Sequence, residues 1–220
     1  MTRIGPDELL KAYAAGIFPM ARSATARDLF WVEPEERGVL PLDDFHIPRR
    51  LARTVRQDIF RVRINTAFER VIALCAEAAP DRPSTWISTK IRDLYTRLYE
   101  MGNAHSVEAY LGEELAGGLY GVSLGAAFFG ESMFSRVRDA SKVALVHLVA
   151  HLKRKGFTLL DAQFITEHLK QFGAIEISRA DYRSRLSGCL ASSCLGAGVF
   201  GNEPKSLSGV EALQSISQTS

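Results

Sequence analysis

The side chains best suited to chemistry fall in two short stretches. In Phe128-Phe-Gly-Glu-Ser-Met-Phe-Ser-Arg136 an apolar run leads directly into Glu131. A carboxylate in such surroundings must be paired or must ionise less readily than usual. Glu131 is therefore a strand-end group facing water, a partner of Arg136 or Arg138, or a group with a chemical task. In Leu159-Leu-Asp-Ala-Gln163, Asp161 and Gln163 stand two apart on a predicted strand. Both then project to one face, and Leu160 and Ala162 to the other. An Asp and a Gln so placed can align a nucleophile and accept its proton, with the amide oxygen as acceptor. Capping of the loop before Thr166 is the structural alternative.

Other constellations point to less. His147 and His151 stand at i, i+4 on a predicted helix, but HLVAH has no glutamate beside the first histidine and no obvious third ligand, so no metal is expected. Gly117-Gly-Leu-Tyr-Gly121 lies among strands and precedes no helix, which argues against a phosphate loop. Cys75, Cys189 and Cys194 form no CxxC pair, so neither a disulfide framework nor a zinc site is expected. Arg49, Arg50, Arg53, Arg56, Arg61 and Arg63 sit among few acids, and Arg49, Arg53 and Arg56 are spaced to line one side of a helix. They make either a phosphate-binding patch or a solvated basic face. A formal net charge of +2 does not by itself mark a nucleic-acid binder.

The elements that must position these groups follow from local pattern. Pro6 to Gly16 reads as a short helix, with proline and acids at its start and glycine at its stop. Residues 17–48 carry four prolines and no helical period, and are expected to form a loop-rich lobe with short strands. Phe68, Val71, Ile72 and Cys75 define one amphipathic helix; Ile87, Ile91, Leu94, Leu98 and Met101 define another, closed by Gly102. His105–Leu111, Leu115–Ser123 and Ala126–Glu131 read as an antiparallel meander. A helix capped by Asp139 or Ser141 runs to Lys155, then come a strand Phe157–Gln163, a helix capped by Thr166 and ended by Gly173, and a strand Ile175–Ser178. The chain after Leu186 is rich in Ser and Gly and weakly patterned. These patterns predict an α+β fold divided into a small N-terminal domain at 1–48, a basic linker at 49–63, a main domain at 64–186, and a poorly ordered tail at 187–220. No segment approaches the roughly 20 apolar residues of a membrane span, and the N-terminus lacks a signal-peptide core. The expectation is a cytoplasmic monomer with no membrane contact.

Taken in order, the motifs resemble one family. Ala12-Tyr-Ala-Ala-Gly-Ile-Phe-Pro19, Trp31-Val-Glu-Pro-Glu-Glu-Arg-Gly-Val-Leu40, Phe45-His-Ile-Pro-Arg-Arg50 and Thr85-Trp-Ile87 are similar to its N-terminal and linker motifs. Ala104-His-Ser-Val-Glu108, Gly117-Gly-Leu-Tyr-Gly121, Phe129-Gly-Glu-Ser-Met-Phe-Ser135, Ala140-Ser-Lys142 and Asp161-Ala-Gln163 are similar to its central ones. The family is the leucyl/phenylalanyl-tRNA–protein transferases, and the resemblance spans residues 6–186.

The resemblance implies a small N-terminal lobe and an N-acetyltransferase-like domain whose mixed, largely antiparallel sheet is flanked by helices. It implies transfer of Leu or Phe, and less readily Met, from aminoacyl-tRNA to proteins beginning with Arg or Lys, marking them for N-end-rule degradation. No cofactor or metal is implied. By resemblance, Asp161 and Gln163 accept the amine proton and hold the amine, and Glu131 is a carboxylate near the reacting groups. Tyr13, Trp86 and Tyr95 flank the aminoacyl-adenosine end. Leu119, Phe128, Met133, Leu145, Leu148 and Leu160 wall the side-chain pocket, although each also reads as plain core. Arg49, Arg50, Arg53 and Arg56 become candidates for the acceptor stem. Met20 stands where the family often has an aromatic, and Ala162 where it often has Cys. An acetyl-CoA enzyme is a rival reading, but Ser135-Arg-Val-Arg-Asp-Ala-Ser-Lys142 lacks the glycine turn that would cradle a pyrophosphate. A tRNA-binding module without catalysis is another.

Overall fold

The computed structural model describes residues 4–78, 84–191, 200–201 and 207–217. Helix α1 (Pro6–Ala14) begins at proline, carries Asp7 and Glu8 in its first turn, and stops before Gly16, whose φ of +81° suits glycine. A hairpin of β1 (Phe18–Ala21) and β2 (Leu29–Val32) follows. Next in the chain come β3 (Glu36–Leu40), α2 (Arg49–Arg56), β4 (Arg61–Ile64), α3 (Phe68–Ala76) and α4 (Thr89–Glu100). The meander is β5 (Ala104–Leu111), β6 (Glu114–Leu124) and β7 (Ala127–Ser135). The chain then runs through α5 (Ala140–Arg154), β8 (Leu159–Gln163), α6 (Glu167–Lys170), β9 (Ile175–Ser178), α7 (Arg179–Ala191) and α8 (Gly209–Ser217).

Seven strands form one sheet in the order β4-β5-β6-β7-β8-β3-β9. All neighbours are antiparallel except β7 and β8. This is the mixed α+β sheet expected from the pattern. Helices α1, α3, α4 and α7 cover one face, and α2, α5 and α8 the other, so the sheet separates two apolar cores. With both faces covered, β5 and β6 are buried almost end to end instead of alternating. The glycines of β6 serve close packing: a Cβ on Gly117 would lie 2.7 Å from the Cβ of Ala140 at the start of α5.

Several expectations need correction. Residues 36–40, assigned from the sequence to the N-terminal lobe, form β3 within the main sheet, where Val39 and Leu40 are buried. The basic stretch at 49–63 is an amphipathic helix plus an edge strand: Leu51 and Val55 anchor α2, and its arginines face outward. Met101 falls just past the end of α4 and is 45% exposed. Past Leu186 the chain is not featureless: α7 continues to Ala191, and α8 buries Ala212 and Ile216 beside α2 and α5. The Gly209 N–H at the start of α8 donates to Asp58 Oδ1 (2.6 Å). Residues 192–199, 202–206 and 218–220 of the expected tail, Cys194 among them, lie outside the described residues.

Candidate active site

Strands β7 and β8 pair at Ala127↔Leu159, Phe128↔Leu160 and Phe129↔Asp161, and there the pairing ends. Both continue, β7 to Ser135 and β8 to Gln163, so a cleft opens between them. Each strand carries a bulge at this point. On β7, Gly130 faces Gly121 and Ser132 faces Tyr120, which leaves Glu131 as the extra residue. On β8, Gln163 faces Gly38 and Asp161 faces Val39, which leaves Ala162 unpaired. Bulges bend a strand and re-aim its side chains. Here the shift lets Phe128 and Met133, five residues apart, serve the same core. Gly121 is required opposite the β7 bulge, because a Cβ there would sit 2.3 Å from the Phe129 carbonyl oxygen.

A cavity of about 910 Å³ fills the cleft. Leu40, Leu119, Met133, Leu145, Leu148 and Leu160 supply apolar wall. Glu131, Asp161 and Gln163 stand along one side, Trp86, Phe164 and His168 border it, and Arg136, Arg138 and Lys142 lie at the margin with their acidic partners Glu77 and Asp139. Such a site suits an apolar side chain carried on a polar ligand.

Glu131 is buried, and its hydrogen bonds come from neutral groups. Oε1 accepts from Tyr13 Oη (2.6 Å) and Gln163 Nε2 (2.9 Å), and Oε2 accepts from Tyr95 Oη (3.0 Å). The two phenol oxygens are also in hydrogen-bond contact, so their two protons fill only two of the three contacts among Tyr13, Tyr95 and Glu131 at a time. The arginines considered from the sequence are engaged elsewhere: Arg136 with Glu77 at 3.1 Å, and Arg138 with Asp139 at 4.0 Å. Burial raises the Glu131 carboxyl from 4.5 to about 7, against the hydrogen bonds from Tyr13, Tyr95 and Gln163 and with help from nearby Asp161. Both phenols are pushed well above their usual range, first by burial and then by the Glu131 charge.

Asp161 has a different environment. It is fully buried against Arg37, itself 1% exposed. Arg37 donates from Nε to Oδ1 (2.9 Å) and from a terminal nitrogen to Oδ2 (2.6 Å). Tyr182 Oη donates to Oδ2 (2.7 Å) and the Gln163 backbone N–H to Oδ1 (2.7 Å). The guanidinium also donates to the Gly16 carbonyl (2.9 Å) and lies 4.6 Å from the Phe18 ring and 4.5 Å from the Tyr182 ring. Burial opposes the Arg37 charge, but the bonds to Asp161 outweigh it and leave its pKa raised. Tyr182 is pushed up by burial and by the Asp161 charge. Gln163 has φ of +62°, the left-handed region, and this turns its amide toward Glu131.

The structure thus brings Glu131, Asp161 and Gln163 together, and puts Trp86, Leu119, Met133, Leu145, Leu148 and Leu160 on the cavity wall. It does not do so for the remaining candidates. Phe128 is fully buried against Phe157 and Phe200, because it sits where β7 and β8 still pair. Tyr13 and Tyr95 are fully buried behind Glu131 and hold its carboxylate instead of lining the cavity. Arg49, Arg50, Arg53 and Arg56 are exposed on α2 and line no part of the cavity. His151 Nε2 contacts the Phe200 carbonyl oxygen at 2.6 Å. Sequence reasoning missed Arg37 and Tyr182. For Arg37 one signal existed: a charge entering the apolar Gly38-Val39-Leu40 run needs a partner.

Residues 39–187 match the family profile described as leucyl/phenylalanyl-tRNA protein transferase, and residues 3–35 match the profile of that family's N-terminal domain. The boundary between the two falls at the entry to β3. The chain is 59% identical over 214 residues to the leucyl/phenylalanyl-tRNA–protein transferase of Caulobacter vibrioides (strain NA1000 / CB15N), with 97% of each covered. It is 60% identical over 193 residues to that of Paramagnetospirillum magneticum, covering 88% of this chain and 92% of the relative. For that of Maricaulis maris the identity is 54% over 220 residues, all of both chains. Among solved structures, FemX superposes with a TM-score of 0.52 at 12% identity, over 78% of this chain and 66% of that one, a likeness of fold alone.

Proposed function

This chain belongs to the leucyl/phenylalanyl-tRNA–protein transferase family, and from that premise we propose that it transfers Leu or Phe, and less readily Met, from aminoacyl-tRNA to the N-terminal Arg or Lys of acceptor proteins. The product is a protein marked for N-end-rule degradation, made in the cytoplasm. Among the described residues no helix is long and apolar enough to cross a membrane.

One observation carries the reading: the split between β7 and β8 joins a leucine-lined cavity to a buried carboxylate and an amide. The apolar walls take the side chain of the transferred residue. Their Leu and Met shapes admit unbranched or γ-branched groups, while each methylene contributes only about 1–3 kcal/mol of discrimination. Rejection of β-branched side chains therefore depends on shape. An aminoacyl ester is already activated, so the protein has mainly to hold a neutral amine against its carbonyl, and proximity supplies much of the rate. In this reading Trp86 flanks the adenosine end, and the arginines of α2 contact acceptor-stem phosphates, which position without reading sequence.

The test is transfer of labelled leucine from Leu-tRNA to a peptide beginning with Arg, beside one beginning with Ala. Label on the Arg peptide alone is the expected result. Binding of tRNA with no label on either peptide would replace this reading with a binding module.

A further inference from the structure

We propose that Glu131 takes the proton released by the acceptor amine, and that Asp161, with Arg37 and Tyr182, is a positioning brace for Gln163 and not a proton acceptor. This rests on the transferase reading above and assigns the proton's path within the same site.

The two carboxylates differ in what surrounds them. Asp161 accepts four well-placed bonds, from two guanidinium nitrogens, the Tyr182 phenol and the Gln163 backbone. A carboxylate offers about four lone-pair directions, so these are in use. Its charge is compensated by Arg37 at 2.6 Å, and the pair is closed to solvent. A proton placed there would break a buried ion pair. Glu131 accepts its hydrogen bonds from two phenols and an amide, lies on the cavity and sits at the bulge that turns it into the cleft. The groups facing it are Tyr13 from α1, Tyr95 from α4, and Asp161 and Gln163 from β8, with Tyr120 of β6 beside Tyr95 and Arg37 of β3 behind Asp161. Burial leaves its carboxyl titrating at about 7, where a general base is both available and able to hold a proton.

Gln163 connects the two. Its backbone N–H is fixed by Asp161, and its side-chain nitrogen donates to Glu131. The other end of that amide, its oxygen, is the acceptor offered to an amine N–H. The atoms then balance without a further reactant. The neutral amine nitrogen attacks the ester carbonyl carbon, and the C–N bond forms. One amine proton passes to Glu131. The bond from the carbonyl carbon to the ribose oxygen breaks, and the protonated Glu131 returns that proton to the departing oxygen. The products are an amide and a free ribose hydroxyl.

The experiment is single-turnover transfer from Leu-tRNA to the Arg peptide between about pH 5.5 and 8.5, a span that brackets the peptide amine and a carboxyl near neutrality. The full chain is compared with Glu131→Gln and Tyr95→Phe, and Leu-tRNA affinity is measured in parallel. For the unaltered chain, log rate should rise with a slope approaching two below about pH 7, one proton from the amine and one from Glu131. Glu131→Gln should show a slope of one and a rate about 100- to 10,000-fold lower, with unchanged affinity for Leu-tRNA. Tyr95→Phe should keep the slope of two but move the enzyme's limb to higher pH, because the lost phenol bond favoured the ionised carboxylate. A slope of two retained in Glu131→Gln would overturn the proposal. So would a loss expressed only as weaker Leu-tRNA binding, which would assign Glu131 to the donor's own ammonium. If the unaltered chain transfers to neither peptide, the transferase reading fails and the proton role falls with it; transfer with a Glu131-independent slope removes the proton role alone.

Discussion

Asp161→Asn isolates the brace. The substitution conserves volume and leaves one oxygen for the Gln163 N–H, but it removes the charge opposite Arg37. The guanidinium stays buried with the Gly16 carbonyl and the faces of Phe18 and Tyr182. Breaking a buried ion pair by removing one partner costs about 3–5 kcal/mol. The remaining carbonyl and ring contacts place this variant at the lower end, about 3 kcal/mol. For a chain of this size that corresponds to a fall in Tm of roughly 6–12 °C. Urea unfolding and calorimetry at one pH would measure both quantities. Arg37→Met should cost a similar amount, since it orphans the Asp161 carboxylate. The double variant should cost far less than the sum, because each change removes the group the other leaves stranded. A loss under about 1 kcal/mol for Asp161→Asn, or simple additivity in the double variant, would refute the claim that Arg37 and Asp161 act as a coupled pair.

Three further outcomes follow from the same geometry. The Glu131 carboxyl is raised from 4.5 to about 7, so the folded chain holds more protons than the unfolded one across that window. Its contribution is therefore complete below about pH 4.5 and is lost as pH rises through about 7, a change of about 3 kcal/mol. Buried His105 and His147, lowered by burial to about 3 and about 4, act in the opposite direction. The difference between the unaltered chain and Glu131→Gln in pH-dependent urea unfolding isolates the Glu131 part, and parallel curves would contradict it. Leu145→Phe narrows the cavity, so transfer of Phe should fall relative to Leu by roughly 10-fold or more in competing single-turnover assays; an unchanged ratio would remove Leu145 from the side-chain pocket. Replacing Arg49, Arg50, Arg53 and Arg56 with Ala should make the salt dependence of tRNA binding shallower by roughly 0.7–0.9 for each phosphate no longer neutralised, whereas an unchanged slope would return these arginines to a solvated face.

What was legible in the sequence was local. The meander, the stripes of α3 and α4, and the glycine stops all depend on neighbours within a few residues, and they appear close to where periodicity puts them, although Ile87 and Met101 flank α4 and β7 runs on to Ser135, past the expected stop at Glu131. The features that make the site depend on distant partners. Arg37 meets Asp161 across 124 positions of sequence, and Tyr13 reaches Glu131 across 118. The bulges at Glu131 and Ala162 exist only relative to the strands beside them, so strict alternation placed Asp161 and Gln163 together for an incomplete reason. It takes the left-handed turn at Gln163 to aim the amide at Glu131. Helix α8 escaped notice because its short apolar side, Ala212 and Ile216, gains meaning only against α2 and α5.

The two carboxylates explain why the site is built from non-local parts. One chain segment could place two acids side by side, but it would give them similar surroundings. Dividing their partners between β3 and α7 on one side, and α1 and α4 on the other, gives Asp161 a buried cation and Glu131 two neutral phenols. Environment then separates their tasks, as it does wherever one fold needs a fixed charge beside a group that exchanges a proton. An uncompensated acid is costly in a folded chain. The Arg37–Asp161 pair ties the sheet to Gly16 at the end of α1, the helix that also carries Tyr13, and so holds rigid the framework in which that cost is tolerated. Loosening the brace should therefore lower stability and displace Gln163 together, while leaving Glu131 able to titrate. Asp161→Asn retaining the slope of two at a reduced rate is the expected signature of that division.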